Sequence, residues 1–353
     1  MVISPQELRP TVPDDGVSRP QLQTPTSMRP DPSKIRLHDN ERQIEKLLMD
    51  LVIRPRIELI KWSKITKQTP NVKIGYPGQH LASLITGVEG SRTGARGHDL
   101  SDGTEVKSCS RIDQLDKCKT CGAAVARLEI ACPECEGADI KRNDDSKWLF
   151  GIRSEAELHT LTVDVDRVLL MIGDHPDFDA GDFSTLRFQA FEIWPKNPRH
   201  RHFVTLMDNY YRKIYLPKRA TGTPAPKNFW PYSYQFYMCN PIQTFSCIVT
   251  SADTHPEITV QYVLDPTADR EPLASLTMPA SVARKEIDAL VDELPDEQLQ
   301  RIAPSVSPSA LRRMNRVQKV ESIIGIDEDA RELLSLRDTD VPVTQAAYRR
   351  RRL

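Results

Sequence analysis

The chain has 353 residues, 39% of them hydrophobic, and 48 Lys and Arg against 49 Asp and Glu leave a formal net charge of −1. That balance excludes a bulk nucleic-acid coat protein but not a DNA enzyme, because local basic strips rather than net charge make phosphate contacts. No apolar run approaches the roughly 20 residues of a membrane span, and no basic region followed by an apolar stretch marks a secretory signal. The expected setting is therefore cytoplasmic and reducing, where cysteines are metal ligands more readily than disulfides.

The length suits one large domain or two ordinary ones. Residues 1–37 carry scattered prolines (Pro5, Pro10, Pro13, Pro20, Pro25, Pro30 and Pro32) and little apolar periodicity, which predicts a flexible N-terminal arm. From about Asn40 to Lys67 the pattern is helical, with Ile44, Leu47, Leu48, Leu51 and Val52 before a break at Pro55 and Ile57, Leu59 and Ile60 beyond it. Residues 78–87 again have helical apolar spacing, and a glycine-rich stretch follows at Gly87, Gly90, Gly94 and Gly97, where backbone can approach a phosphate closely.

Residues 97–107, Gly-His-Asp-Leu-Ser-Asp-Gly-Thr-Glu-Val-Lys, read as a β-hairpin with an Asp-Gly turn. Glu105 and Lys107, two apart on the second strand, project from one face. The turn brings Asp99 beside them. Two carboxylates and a lysine converging there suit a hard divalent cation and an oriented water. A surface hairpin with a solvated Glu-Lys pair is the plainer reading of the same residues.

Cys118 and Cys121, then Cys132 and Cys135, form two Cys-x2-Cys knuckles separated by ten residues. Two such pairs complete a tetrahedral four-thiolate zinc site, which leaves no position for a reacting water. The zinc is therefore expected to be structural, within an insertion spanning 115–140. Whether the insertion braces a DNA-contacting loop or only staples itself stays open at this level. Cys109, Cys239 and Cys247 read as small buried side chains.

Beyond the cysteines, residues 148–152, 168–173 and 186–194 read as strands, and Phe203 to Tyr215 as an amphipathic helix. Past Pro217 come an aromatic stretch over 229–237, read as core before base stacking, two strands near 244–250 and 258–264, and helices over about 281–325. The chain ends in a basic tail containing Arg349 to Arg352. The segmentation is an arm over 1–37, an α/β domain of mixed sheet and helices over 38–219, and a C-terminal α/β then helical region over 220–353. Candidate phosphate contacts are Arg96, then Arg199 and Arg201 at a helix start, then Arg312, Arg316 and Lys319 along one helical face. Solvated helix faces are the competing account of these cations.

Residues 93–100 and 102–109, Thr-Gly-Ala-Arg-Gly-His-Asp-Leu and Asp-Gly-Thr-Glu-Val-Lys-Ser-Cys, followed by the four-cysteine insertion, resemble the PD-(D/E)xK nucleases. Within that superfamily, which includes most type II restriction endonucleases, the whole chain is similar to the MamI-type group. The core resemblance covers roughly residues 75–195. His98 stands where the motif's name has proline. The resemblance implies a restriction-endonuclease-like mixed sheet and Mg²⁺ held by Asp99, Glu105 and the Val106 carbonyl. It also implies that Lys107 positions and deprotonates water, with Glu89 as a further acid. It implies cleavage of double-stranded DNA at a specific palindromic sequence, a homodimer to match it, and a cognate DNA methyltransferase. A structure-directed repair or recombination nuclease and a non-catalytic zinc-ribbon DNA-binding protein are the alternatives.

Overall fold

The computed structural model describes residues 27–38, 40–92, 98–277, 279, 282, 291 and 295–323. Helix α1 (Glu41–Leu48) runs through a π-helical turn (Met49–Ile53) into α2 (Arg54–Thr66). The helix therefore runs on through Pro55 rather than breaking there. A proline has no N–H to give and its ring crowds the carbonyl four residues back, and the wider turn just before it relieves that crowding. The device recurs at Pro217, where a π-helical turn over Tyr210–Tyr215 joins α5 (Arg201–Asn209) to α6 (Leu216–Thr221). Helix α3 (Gly75–Thr86) ends at Gly87, whose φ of +69° is a left-handed C-terminal cap.

The central sheet has five strands: β1 (Thr104–Ser110), β6 (Arg167–Asp174), β7 (Leu186–Ile193), β9 (Ile242–Thr250) and β10 (Glu257–Val263), in the order β1-β6-β7-β9-β10. β1 runs parallel to β6 and the other pairs are antiparallel, so the sheet is mixed and the protein is mixed α/β. Every residue of β6 is buried, as its apolar run requires of a strand covered on both faces. One face packs Leu169, Met171, Phe188 and Phe245 against α1 and α3. The other packs Val168, Leu170 and Phe191 against α5 and against β5 (Trp148–Phe150), which pairs with β8 (Lys227–Phe229). Trp148 is fully buried and its Nε1 donates to the Met171 carbonyl at 2.8 Å, so truncation to alanine should cost about 3–5 kcal/mol.

The crossover from β1 to β6 carries the cysteine insertion, a small sheet of β2 (Asp116–Cys118), β3 (Ala124–Val125) and β4 (Ile140–Lys141) ordered β3-β2-β4. Helix α4 (Glu155–His159) follows, and α7 (Tyr234–Met238) packs with α8 (Asp296–Ile302), α9 (Pro308–Arg313) and α10 (Arg316–Ile323) around Leu299, Leu311 and Ile323. Three features differ from the sequence reading. Strands β9 and β10 lie beyond position 220 yet complete the central sheet, because their apolar faces continue the one that β7 presents. The end of the expected arm is docked: Met28 is fully buried against Trp194 and Ile242, and the Arg36 and Leu37 amides donate to the Gly87 carbonyl. Residues 1–26 lie outside the described residues, as does the basic tail. Finally, the hairpin's first strand shrinks to a single bridge between Leu100 and Gly90, closed by a turn in which Gly103 takes φ +85°.

Candidate active site

β1 lies at an edge of the sheet, and Asp99, Glu105 and Lys107 meet along it. The Asp99 carboxylate is 9% exposed and accepts from the Val106 amide through Oδ2 at 2.8 Å and from Gln79 Nε2 through Oδ1 at 2.8 Å. In a strand the N–H and C=O of one residue face the same edge, so the Val106 carbonyl faces the Asp99 side as well. Glu105 is buried, and the Lys107 ammonium sits against its Oε1 and 5.8 Å above the centre of the Phe150 ring. Burial raises the Asp99 pKa above the ordinary carboxylate range. The Val106 amide opposes that rise, the Glu105 charge adds to it and Lys107 opposes it.

The turn is held to the sheet by a buried ionic chain. Arg167, at the start of β6, donates to the Thr104 hydroxyl at 3.0 Å, to Asp102 at 2.6 Å and to Glu192 at 3.1 Å. Arg270 reaches the other side of Glu192 at 3.2 Å, and Trp194 Nε1 donates to it at 2.9 Å. Burial alone would neutralise the Glu192 carboxyl, but the Arg167 and Arg270 guanidiniums outweigh it and hold its pKa below the usual range. These residues and Gln79 escape a local reading of the sequence. Only Glu192 leaves a trace, as an acid in phase with the apolar positions Leu186, Phe188 and Ala190 of the strand over 186–194.

The other sequence candidates are dispersed. Glu89 is exposed, past the end of α3, with its carbonyl accepting from the Ser101 amide at 2.9 Å. Arg96 lies outside the described residues. Arg199 donates to the Leu273 carbonyl at 2.6 Å and to Ser275 Oγ at 2.9 Å, tying that loop to the helix start, and Arg201 beside it is half-buried. Burial pushes the neighbouring His200 down to about 4, its Nδ1 lying 2.9 Å from the Cys239 carbonyl, so it adds no charge at neutral pH. Arg312 pairs with Asp296. Lys319 is buried because it shares the inward face of α10 with Ile323, one turn on. The Arg316 side chain lies outside the described residues. In the aromatic stretch, Phe229 and Phe236 are fully buried in the core.

The four cysteines converge. Their Sγ atoms all lie within 4.8 Å of one another, with Cys118–Cys135 at 3.6 Å and Cys121–Cys132 at 3.5 Å. A tetrahedron of thiolates about 2.3 Å from a central zinc has S···S edges of about 3.8 Å, so the cluster fits that ion. The two knuckles are one turn used twice. Each first cysteine accepts through its carbonyl from the residue four on, Gly122 or Glu136, and donates its amide to the carbonyl five on, Ala123 or Gly137. Hydrogen bonding from the Cys121 amide lowers the Cys118 thiol to about 6, against a smaller opposing effect of desolvation. The insertion is anchored by Arg127, fully buried, which forks onto Asp116 at 2.9 Å twice and lies 4.9 Å from the centres of both the Phe178 and Phe183 rings.

The type II restriction enzyme MamI of Microbacterium ammoniaphilum is 36% identical over 74 residues, which cover 21% of this chain and 24% of that enzyme. The aligned part thus spans about a quarter of the relative's length. No solved structure matches the chain. The family model of the MamI restriction endonuclease matches residues 61–281, a stretch that holds the β1 edge, the four cysteines and all five strands of the central sheet. The chain belongs to the MamI restriction endonuclease family.

Proposed function

We propose that this chain is a Mg²⁺-dependent type II restriction endonuclease that hydrolyses double-stranded DNA at a specific palindromic sequence, with a PD-(D/E)xK-type site at the β1 edge. The observation that carries the reading is the joining of Asp99 to the Val106 amide beside the Glu105–Lys107 pair, within a chain of this family. Two carboxylates and a backbone carbonyl on one edge are the hard oxygen donors that Mg²⁺ takes, with places left for water and phosphate. The chemistry supplied by a bound Mg²⁺ is neutralisation of the phosphoryl oxygens and a lowered pKa for coordinated water.

The chain's own groups do the rest. Asp99 and Glu105 would hold the cation beside the scissile phosphate. Lys107 exchanges its contact with Glu105 for the attacking water, holds that water in line with the leaving 3′ oxygen and, once its ammonium has given a proton to solvent, takes up the proton of that water, while a solvent water protonates the leaving oxygen. The water oxygen bonds to phosphorus as the P–O3′ bond breaks, giving a 5′-phosphate and a 3′-hydroxyl. Glu89, whose backbone carbonyl accepts from the Ser101 amide two residues past Asp99, is the candidate for an additional acid.

The zinc of the four-cysteine cluster is structural, since four thiolates leave no open position. A palindrome calls for a two-fold dimer, with recognition or dimerisation supplied by the region beyond 220 and phosphate contacts by Arg96, Arg199, Arg201, Arg312 and Arg316, whereas the buried Lys319 is not available for one. The host would need a methyltransferase to protect its own sites in the same cytoplasm. No helix among the described residues is long and apolar enough to cross a membrane. Incubating the purified chain with unmethylated phage DNA in Mg²⁺ or EDTA tests the reading. Discrete Mg²⁺-dependent bands support it. A smear would point to a structure-directed nuclease, and intact DNA in both lanes to a non-catalytic zinc protein.

A further inference from the structure

We infer that Gln79 is a positioning residue for the cation site, one that fixes the Asp99 carboxylate without touching substrate. The inference rests on the reading above and deepens it. Asp99 sits on an irregular segment with one bridge to its neighbours, so its backbone alone does not set the angle of its carboxylate. Two donors from two different elements do. The Val106 amide, on β1, takes Oδ2, and Gln79 Nε2, on α3, takes Oδ1, each at 2.8 Å. A carboxylate oxygen has two acceptor sites, so each oxygen of Asp99 keeps one for a cation while its plane is locked. With the Val106 contact alone the group would pivot about a single hydrogen bond.

The position of Gln79 is itself constrained. The preceding residue, Gly78, faces β1 so closely that a Cβ there would lie 2.1 Å from Ser108 Oγ and 3.1 Å from Ser108 Cβ. Helix α3 therefore meets β1 at a glycine, and the next residue is delivered to the strand's edge at a fixed height. The side-chain chemistry is matched to the task. An amide donates a hydrogen bond without charge. A lysine in its place would neutralise Asp99 and repel a cation, and a glutamate could not donate at all when ionised.

The test uses the full-length chain with its zinc in place and measures Mn²⁺ binding by the electron paramagnetic resonance of the free ion, without DNA. Groups that orient a metal ligand typically change affinity about 10–100-fold when removed. Gln79→Ala should weaken Mn²⁺ binding by about tenfold or more, with thermal stability and zinc content unchanged. The Mg²⁺ concentration for half-maximal cleavage should rise in parallel, while the rate at saturating Mg²⁺ falls less. If Gln79→Ala lowers thermal stability, Gln79→Leu, which keeps the bulk and removes the donor, carries the same expectation. Wild-type Mn²⁺ affinity and Mg²⁺ requirement in either stable variant would overturn the role of Gln79 while leaving the cleavage reading intact. A wild-type chain that neither binds Mn²⁺ nor cuts DNA would overturn the reading beneath it.

Discussion

The β1 edge and the four-cysteine cluster are two metal-site candidates built on opposite plans. The cluster is local, its ligands all falling between Cys118 and Cys135, and it repeats one backbone turn to present two thiolates at a time. Four thiolates around a zinc would fill its coordination sphere, so such a site would hold shape but not reactants. The β1 edge draws on residues from a helix, an irregular bridge and a strand, and its donors leave room for water and phosphate. A closed local site would suit holding the crossover in shape, and an open composite site is where chemistry could occur. Their ligands should therefore fail in different ways.

The largest separation is expected from Asp99→Ala, which should lower cleavage by at least about 10³-fold while leaving zinc content and melting temperature near wild type. A gel time course with metal analysis of the same sample checks it. Unaltered cutting would remove Asp99 from the site. Converting Cys118 and Cys132 to serine should do the reverse first, releasing zinc and costing several kcal/mol, a magnitude of about 5 being modest beside the binding energies of structural zinc sites. Activity should fall only as the crossover loosens. Unchanged metal content would defeat the four-thiolate assignment.

Acid should act on the frame of the fold as well as on the two sites. Burial pushes both His175 and His200 down to about 4 from an ordinary 6.5. A lowered folded-state pKa means the unfolded chain binds more protons between those values, so stability falls as pH drops from about 6.5 toward 4, by up to about 3 kcal/mol per histidine. Melting temperatures across that range should show the loss, and His200→Gln should flatten the slope. A slope unchanged by that substitution would exclude His200 as a source. The smallest effect concerns the repeated turn. Glu136 takes φ +58° where Gly122 takes +77° in the sister knuckle, so Glu136→Gly should gain about 0.5–1 kcal/mol. A loss of stability would show that Glu136 makes a compensating contact.

What was legible in the sequence follows the same division. The cysteine spacing announces its site outright, since both knuckles are short-range patterns. The spacing of Glu105 and Lys107 and the Asp102-Gly103 turn place three groups near one another, because strand period and turn chemistry are local rules. The strand over 167–174 is legible as an apolar run and the one over 186–193 as an alternation, although the structure leaves none of its residues exposed. Gln79 is not, because its partner lies 20 residues away and only the packing of α3 on β1 brings them together. Nor is the chain from Asp102 through Arg167 and Glu192 to Arg270, which joins residues distant in sequence. Lys319 shows the opposite error: helical spacing groups it with Arg312 and Arg316, but spacing alone does not say which face of α10 turns inward.

The most direct test of the central claim is Glu105→Ala assayed beside wild type on unmethylated DNA in Mg²⁺, with zinc content and melting temperature read from the same preparations. The account predicts discrete bands from wild type, intact DNA from the variant, and matching zinc and stability in both. Identical bands from a folded, zinc-loaded Glu105→Ala would contradict it and move the chemistry away from the β1 edge.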